Sequence, residues 1–213
     1  MLTNSPNNFS AFAGKTTQFC GFEDEQICGF YQEDNRTDSL DWTRGSGSTP
    51  SDDTGPSTDH TCGNNFGHYM YVEATRTQRN PKALLTSPHF RGMDDQCVEF
   101  FYHMYGRHIG TLNVFSYVDD AELSPLWRAY GNQGNVWSTA RMTIPRHVAK
   151  KGYKVVFEAA LLQTGYQGDI AIDDFRVTDG KCVRPTRDAS QIDPRRQRRR
   201  ERRSQPGDDG GAV

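Results

Sequence analysis

Five cysteines are the residues of this 213-residue chain whose spacing bears most directly on chemistry. They form no CxxC pair, and no histidine stands at zinc-ligand spacing from any of them, so a structural zinc site is not expected. Buried thiols in a reducing compartment and disulfides in a secreted protein remain as explanations. Disulfides are favoured because Cys20 and Cys28 flank a short stretch that can fold back, and Cys182 follows the last strand-like run while Cys97 opens an earlier one. Cys62 is left over, either as a free thiol or as an intermolecular link.

Carboxylates are the second group of residues that could bind an ion or take part in catalysis. They recur in a short segment around Glu23, in a longer polar segment containing Asp59, and as the adjacent pair Asp173 and Asp174. Ca²⁺ binds about six to eight oxygens, mostly from carboxylates and carbonyls on loops. One hypothesis is therefore a single structural Ca²⁺ held by these four residues. The alternative is a set of solvated carboxylates, with Asp59 capping neighbouring backbone groups.

The sequence contains no recognisable catalytic motif. Carboxylate pairs raise glycoside hydrolysis as a reaction class, but spacing along the chain does not report the distance between two carboxyl groups. The sequence contains no nucleophile elbow, HExxH motif or Gly-rich phosphate loop, and its six histidines are scattered. We therefore expect no enzymatic activity, and no cofactor beyond the one Ca²⁺.

Charge is unevenly distributed along the chain. Residues 184–213 contain 9 Arg against 5 acidic residues, whereas the rest of the chain contains 16 basic and 22 acidic residues. Three interpretations of the Arg-rich run stay open: a solvated spacer, a proprotein-convertase cleavage site, or a binding site for heparin-like glycans. The arginines concerned are Arg196, Arg198, Arg199, Arg200, Arg202 and Arg203. Nuclear localisation conflicts with a disulfide framework, so we expect no nucleic-acid partner.

Several features bear on the compartment. Asn8 and Asn35 begin N-glycosylation sequons, which fit a secreted chain. No run reaches the roughly 18 apolar residues that span a bilayer, and the polar segment Met1–Phe12 lacks the apolar stretch of a signal peptide. An extracellular location is therefore expected if this sequence is part of a longer secreted protein or a membrane-protein ectodomain.

The elements that must position these residues are strands. Val98, Phe100, Tyr102 and Met104 alternate with the residues between them, which is typical of a strand. Comparable runs lie at 69–74, 83–87, 111–118, 126–130, 136–144, 153–161 and 170–178, and a short strand opens at Asp41-Trp42. Such spacing, with turn residues between the runs and no helical period, predicts an all-β, two-sheet antiparallel sandwich. Thr43–Asn65 reads as a long loop that is either functional or mobile.

The last predicted strand changes phase. Ile170 and Ile172 share one parity, while Phe175 and Val177 share the other. A β-bulge at Asp173-Asp174 explains the change, and bulges re-aim side chains towards sites and rims. Two adjacent carboxylates at that position are not expected to be ordinary core residues.

A collinear series of motifs runs from about Phe19 to Cys182. It comprises Phe19-Cys20-Gly21-Phe22-Glu23, Ile27-Cys28-Gly29-Phe30, Asp41-Trp42, Thr54-Gly55-Pro56, Asp59-His60-Thr61, Gly67-His68-Tyr69-Met70-Tyr71-Val72-Glu73, Cys97-Val98-Glu99-Phe100-Phe101-Tyr102-His103-Met104-Tyr105-Gly106, Gly110-Thr111-Leu112-Asn113-Val114, Trp127, Trp137, Tyr153-Lys154-Val155-Val156-Phe157-Glu158 and Gly168-Asp169-Ile170-Ala171-Ile172-Asp173-Asp174. In this order they resemble the MAM family, named after meprin, A5 antigen and receptor tyrosine phosphatase mu. The stretch that begins at Cys97 is the most diagnostic.

The resemblance implies a jelly-roll-like, disulfide-bonded sandwich of the kind used in extracellular adhesion proteins, receptors and secreted proteases. It implies the pairs Cys20–Cys28 and Cys97–Cys182, and it leaves Cys62 outside the family pattern. We therefore expect a MAM-like domain over residues 19–183, a polar extension over 1–18, and a disordered Arg-rich tail over 184–213.

The expected function is a non-catalytic interaction or adhesion module within a larger secreted or membrane-anchored protein. Its expected partners are extracellular or cell-surface proteins, including a second copy of itself. One alternative is a secreted matrix protein with a calcium-binding acidic surface. Another is a non-catalytic domain of a secreted or membrane protease or receptor.

Overall fold

Eleven strands, one short α-helix and a 3-10 helical turn at Ile27–Gly29 make up the regular structure of the described residues. The computed structural model describes residues 16–32, 39–74, 81–119, 122–162 and 165–183. The elements are β1 (Thr16–Cys20), β2 (Tyr31–Gln32), β3 (Thr43–Ser46), β4 (His68–Val72), β5 (Lys82–Thr86), β6 (Gln96–Met104), β7 (Thr111–Tyr117), β8 (Ser124–Tyr130), β9 (Gly134–Ile144), α1 (Arg146–Lys151), β10 (Lys154–Ala160) and β11 (Ile170–Asp179). No helix in these ranges is both long and apolar enough to cross a membrane.

The strands form two sheets. The six-stranded sheet has the order β3-β4-β11-β6-β9, with β1 also pairing with β11, and the five-stranded sheet has the order β2-β5-β10-β7-β8. All pairings between named strands are antiparallel. The predicted two-sheet antiparallel sandwich is therefore confirmed.

Aromatic side chains dominate the core between the two sheets. Phe30 meets Phe175 edge-on at a centroid distance of 5.1 Å, and Phe100 meets Phe157 edge-on at 4.9 Å. Such pairs add about 0.5–1.5 kcal/mol beyond the burial of their area. This explains how a chain with only 34% hydrophobic residues builds a dense interior.

β11 contains the bulge that its change of phase predicts. Its pairing with β6 shifts register between Asp173 and Arg176, and Asp174 has a φ of 49°. The bulge separates the half of β11 that pairs with β4 from the half that pairs with β1. Because of it, Ile172 and Phe175 both enter the core despite their opposite parity.

Three local features differ from the sequence prediction. α1 has only six residues, fewer than two turns, so its hydrophobic period is too short to detect. β3 lies within the segment predicted to be a loop, because its Thr-Arg-Gly-Ser sequence lacks apolar alternation. β1 begins at Thr16, inside the predicted extension. The rest of that extension, and the predicted tail over 184–213, lie outside the described residues.

Two disulfides close one short and one long loop of the chain. Cys20–Cys28 closes a loop with a sequence separation of 8, and Cys97–Cys182 closes one with a separation of 85. These are the pairs that the family resemblance implies. Cys62 is an exposed free thiol.

Candidate functional site

The outer face of the six-stranded sheet carries most of the polar and aromatic residues that could form a functional site. Strand alternation directs Met70, Val72, Ile170 and Ile172 into the core. The residues between and beside them therefore lie on the opposite face. That outer face includes Tyr69, Tyr71 and Glu73 from β4 and its end, Phe101, His103 and Tyr105 from β6 and its end, and Asp169, Ala171 and Asp173 from β11 and its start.

Residues 47–67, here called the covering loop, lie over this face. The Trp137 indole N–H donates to the Thr58 carbonyl at 2.9 Å, and the Tyr69 hydroxyl donates to the Gly47 carbonyl at 2.7 Å. The covering loop is thus held to the sheet at both of these points. Most of it belongs to the segment that the sequence predicts to be a functional or mobile loop.

The centre of the covering loop is bound by Asp173 and Asp174. Asp173 Oδ2 accepts the backbone N–H groups of His60 at 2.7 Å and Thr61 at 3.1 Å. Asp174 contacts His60 Nδ1 at 2.5 Å and accepts the Thr61 hydroxyl at 2.8 Å. The His60 ring also stacks on Phe101 at a centroid distance of 3.5 Å. The bulge therefore aims two consecutive carboxylates at one stretch of the loop.

Burial, with a further contribution from the charge of Asp174, raises the pKa of Asp173 to about 8. The backbone N–H groups that Asp173 accepts oppose this increase. Asp173 is fully buried, so its negative charge is costly unless a cation or a proton offsets it.

Asp59 organises the covering loop from within. Its side chain is 1% exposed, and it accepts the backbone N–H groups of Cys62 at 2.5 Å and Asn64 at 3.0 Å. Glu23 reaches the same region and accepts the His68 backbone N–H at 3.1 Å. The ligand atoms of Glu23, Asp59 and Cys62 all lie within 4.8 Å of one another. The capping role considered for Asp59 is therefore present in the structure.

The four carboxylates considered as calcium ligands contact one stretch of the covering loop as two separate pairs, and the close group of ligand atoms in the described residues contains Glu23 and Asp59 but neither Asp173 nor Asp174. Glu23 and Asp59 meet beside Cys62, and Asp173 and Asp174 bind the two residues between Asp59 and Cys62. Cys62 itself is a member of this cluster that sequence reasoning missed, although its spacing of three residues from Asp59 was available. Burial, together with the charges of Asp59 and Glu23, raises the pKa of the Cys62 thiol.

A second acidic pair on the same face was also missed by sequence reasoning. Val72 pairs with Ile170 in register, so Glu73 and Asp169 lie opposite each other at the ends of β4 and β11. Asp169 is fully buried and accepts the Ala74 backbone N–H at 2.9 Å. Burial, opposed by the hydrogen bond from Ala74, raises the pKa of Asp169 to about 7. Detecting this pair requires the strand partner and its register, which the linear sequence does not carry.

Two sets of predicted residues are not located by the structure. The sequons at Asn8 and Asn35 lie outside the described residues, as do Arg196, Arg198, Arg199, Arg200, Arg202 and Arg203. Glycosylation, cleavage and polyanion binding therefore stay predictions.

The fold, the two disulfides and the order of the motifs define a disulfide-bonded extracellular-type β-sandwich domain. The family model for "MAM domain, meprin/A5/mu" matches residues 20–183. The chain is 39% identical over 197 residues to MAM domain-containing glycosylphosphatidylinositol anchor protein 1 of Homo sapiens, with 89% of this chain covered. It is 36% identical over 192 residues to Neuropilin-1a of Danio rerio, with 86% covered. The chain belongs to the MAM family, and it spans 19% and 20% of the lengths of these two relatives.

Solved structures show the same fold at low sequence identity. The K3 cleaved adhesin domain of Lys-gingipain from Porphyromonas gingivalis w83 matches with a TM-score of 0.55 and 13% identity, covering 78% of this chain and all of that one. The Stig cyclase Fisc from Fischerella sp. TAU matches with a TM-score of 0.52 and 12% identity, covering 77% of this chain and 96% of that one. These similarities extend to the fold alone.

Proposed function

We propose that this chain is an extracellular, non-catalytic interaction module that binds cell-surface or extracellular proteins. Its membership of the MAM family over residues 20–183 carries the proposal. The names of its relatives, a glycosylphosphatidylinositol anchor protein and a neuropilin, support a place at the cell surface. The two disulfides support an oxidising compartment. The chain spans about a fifth of the length of these relatives. The partners of the whole protein are therefore part of this proposal.

One edge of the sandwich supports protein binding. β8 is an edge strand of one sheet, β9 is an edge strand of the other, and a short turn joins them. The region exposes three large apolar side chains: Leu123 at 43%, Tyr130 at 73% and Val136 at 57%. Exposed strand edges are templates for pairing with another protein, and Tyr130 and Val136 lie close in sequence on either side of the turn between β8 and β9. We propose that a second copy of this chain binds here.

Sedimentation of the oxidised chain tests this homophilic binding. We expect a concentration-dependent dimer that persists in Cys62→Ser and is weakened in Tyr130→Ser/Val136→Ser, because the latter removes apolar contact area. Phe66→Ser, which changes an exposed aromatic residue in the covering loop, is the matched control. A dimer that disappears in Cys62→Ser is a disulfide-linked species and contradicts homophilic contact. A monomer at every concentration contradicts self-association but leaves binding to other proteins to be tested on cells.

A second proposal is the structural Ca²⁺ held by Glu23, Asp59, Asp173 and Asp174, supported by the close approach of Glu23 and Asp59 and by the contacts of Asp173 and Asp174 with the same stretch of the covering loop. Carboxylate oxygens on loops and at a bulge are the kind of ligand that a hard cation takes. When bound, Ca²⁺ would supply the positive charge that the cluster lacks. An acidic, calcium-binding surface also fits the alternative of a matrix protein. We expect EDTA to lower the melting temperature of the native chain and to have less effect on Glu23→Gln; an identical melting temperature with and without EDTA contradicts the site.

The Arg-rich run supports a further, separate test. Secretion of the chain followed by mass measurement of its C-terminus distinguishes a cleaved site from an intact one. If the run is intact, the salt needed to elute the chain from heparin distinguishes polyanion binding from a spacer. Arg199→Gln/Arg200→Gln is expected to lower that salt concentration only if the run binds polyanions.

A further inference from the structure

We propose that Glu73 and Asp169 form a second cation site, separate from the first acidic cluster, that takes a hard divalent ion of the Ca²⁺ class. The two residues end and begin adjacent antiparallel strands, and the Val72–Ile170 pairing places them opposite each other. Like charges directly opposite each other in a sheet are destabilising, so this pair requires a compensating positive charge.

Each of the two carboxylates has an oxygen atom that no hydrogen bond compensates. Asp169 is fully buried, and its Oδ2 atom has no hydrogen-bond partner. Glu73 Oε2 is shielded from water and is likewise without a partner. Ion pairs in the described ranges join lysine, arginine and histidine side chains to Glu23, Asp94, Asp95, Glu99, Glu158 and Asp174. Buried carboxylate oxygens without a partner are strongly disfavoured, and a cation between them removes that cost.

The covering loop supplies further oxygen atoms around the pair. The Thr49 side chain lowers the pKa of Asp169, and its hydroxyl donates to the Thr54 carbonyl at 3.2 Å. Its oxygen lone pairs therefore remain available to a cation. The Ser51 hydroxyl donates to Glu73 Oε1 at 2.5 Å and holds that carboxylate in place. Carboxylate, other protein oxygens and water together make the ligand set that Ca²⁺ takes.

This site is distinct from the cluster at Glu23 and Asp59. Asp169 and Asp173 lie on the same strand with Ala171 between them, four residues apart, which corresponds to about 13 Å along an extended chain. One ion cannot contact both carboxylates. The site would bind the first part of the covering loop, whereas the first cluster binds its centre.

Calcium stoichiometry of the full, disulfide-intact chain tests the proposal. Equilibrium dialysis and titration calorimetry with CaCl₂ are applied to the native chain, Glu73→Gln, Glu23→Gln and the double variant. We expect Glu73→Gln to lose one bound equivalent relative to the native chain. Glu23→Gln is the matched control, and it is expected to retain the equivalent at Glu73, so failure of the first site leaves this result unchanged. Ca²⁺ is expected to raise the melting temperature of Glu23→Gln but not that of the double variant.

Two results would overturn the proposal. One is unchanged calcium stoichiometry and affinity in folded Glu73→Gln, and the other is a Glu23→Gln chain that binds no Ca²⁺. If circular dichroism shows that Glu73→Gln does not fold, Thr49→Val decides, since it removes a neutral oxygen ligand without changing charge. A weaker calcium affinity in Thr49→Val, measured in the Glu23→Gln background, supports the site, and an unchanged affinity there contradicts it.

Discussion

Three buried titratable residues on the outer face of the six-stranded sheet all have pKa values shifted towards their neutral forms. Asp169 and Asp173 are buried acids whose pKa values are raised, so the folded state favours their neutral forms. His103 is a buried base whose pKa is lowered by burial, partly offset by its hydrogen bond to Asn135. All three residues therefore favour loss of charge in the absence of a cation. These groups are buried away from water, so a charge on this face costs free energy.

His103 gives a pH prediction at this scale. Its folded pKa lies below its unfolded value, so its contribution to stability is present above the unfolded pKa, about 6.5, and is lost as the pH falls through that value towards the folded pKa. Between about pH 7 and pH 5 the contribution of His103 decreases, whereas the raised pKa values of Asp169 and Asp173 add stability as the pH falls. We therefore expect His103→Gln to change the slope of the free energy of unfolding against pH, towards greater stability at pH 5 relative to pH 7 than in the native chain. Urea unfolding at several pH values measures it. His147→Gln, on the exposed surface of α1, is the control, and equal slopes in His103→Gln and the native chain contradict the prediction.

At the scale of the element, the covering loop is held to the sheet by side chains from strands distant in sequence. Trp137 from β9 donates to Thr58, and its ring also packs edge-on against Tyr69 at 5.8 Å and His103 at 5.4 Å. The loop therefore depends on the sheet as much as on its own turns. A long polar segment of this kind is ordered through its anchors.

Replacing the Trp137 anchor tests this dependence. Trp137→Phe keeps an aromatic ring but removes the hydrogen bond to the Thr58 carbonyl, which is worth about 1 kcal/mol. We expect faster amide exchange in residues 47–67 and little change elsewhere, measured by hydrogen exchange with mass spectrometry. Trp127→Phe is the matched control, because Trp127 packs on the core residue Phe100. Equal exchange of the loop in Trp137→Phe and the native chain would show that the hydrogen bond does not hold it.

On the scale of the whole molecule, the two disulfides differ in what they constrain. Cys97–Cys182 links the start of β6 to the chain after β11, and Cys20–Cys28 closes a local turn. In the chain-entropy model, a loop of 85 residues contributes about 4.5 kcal/mol and one of 8 residues about 2.5 kcal/mol. The long-range link is therefore the main covalent support of the sandwich.

Paired substitutions compare the two links. We expect Cys97→Ala/Cys182→Ala to lower the free energy of unfolding by about 2 kcal/mol more than Cys20→Ala/Cys28→Ala, because it releases the longer loop. Denaturant unfolding under oxidising conditions measures both. Cys62→Ser, which removes no disulfide, serves as the control. A larger loss from the Cys20–Cys28 pair would show that local packing around the turn outweighs loop entropy.

The sequence by itself determined the features that depend on local pattern. Alternation of apolar residues located most strands, and the change of parity between Ile172 and Phe175 located the bulge in β11. The ordered motifs identified the family and its cysteine pairs. These features can be predicted because each depends on a few neighbouring residues or on the order of short motifs along the chain.

Only the tertiary structure decided which distant residues meet. Glu73 and Asp169 are far apart in the chain, and they become partners through the pairing of Val72 with Ile170. Cys62 joins Glu23 and Asp59 because the covering loop folds over the outer face of the sheet. β3 and α1 were missed because one lacks apolar alternation and the other is too short to show a period. Strand partners and loop placement follow from packing across the whole domain, so a local pattern cannot specify them.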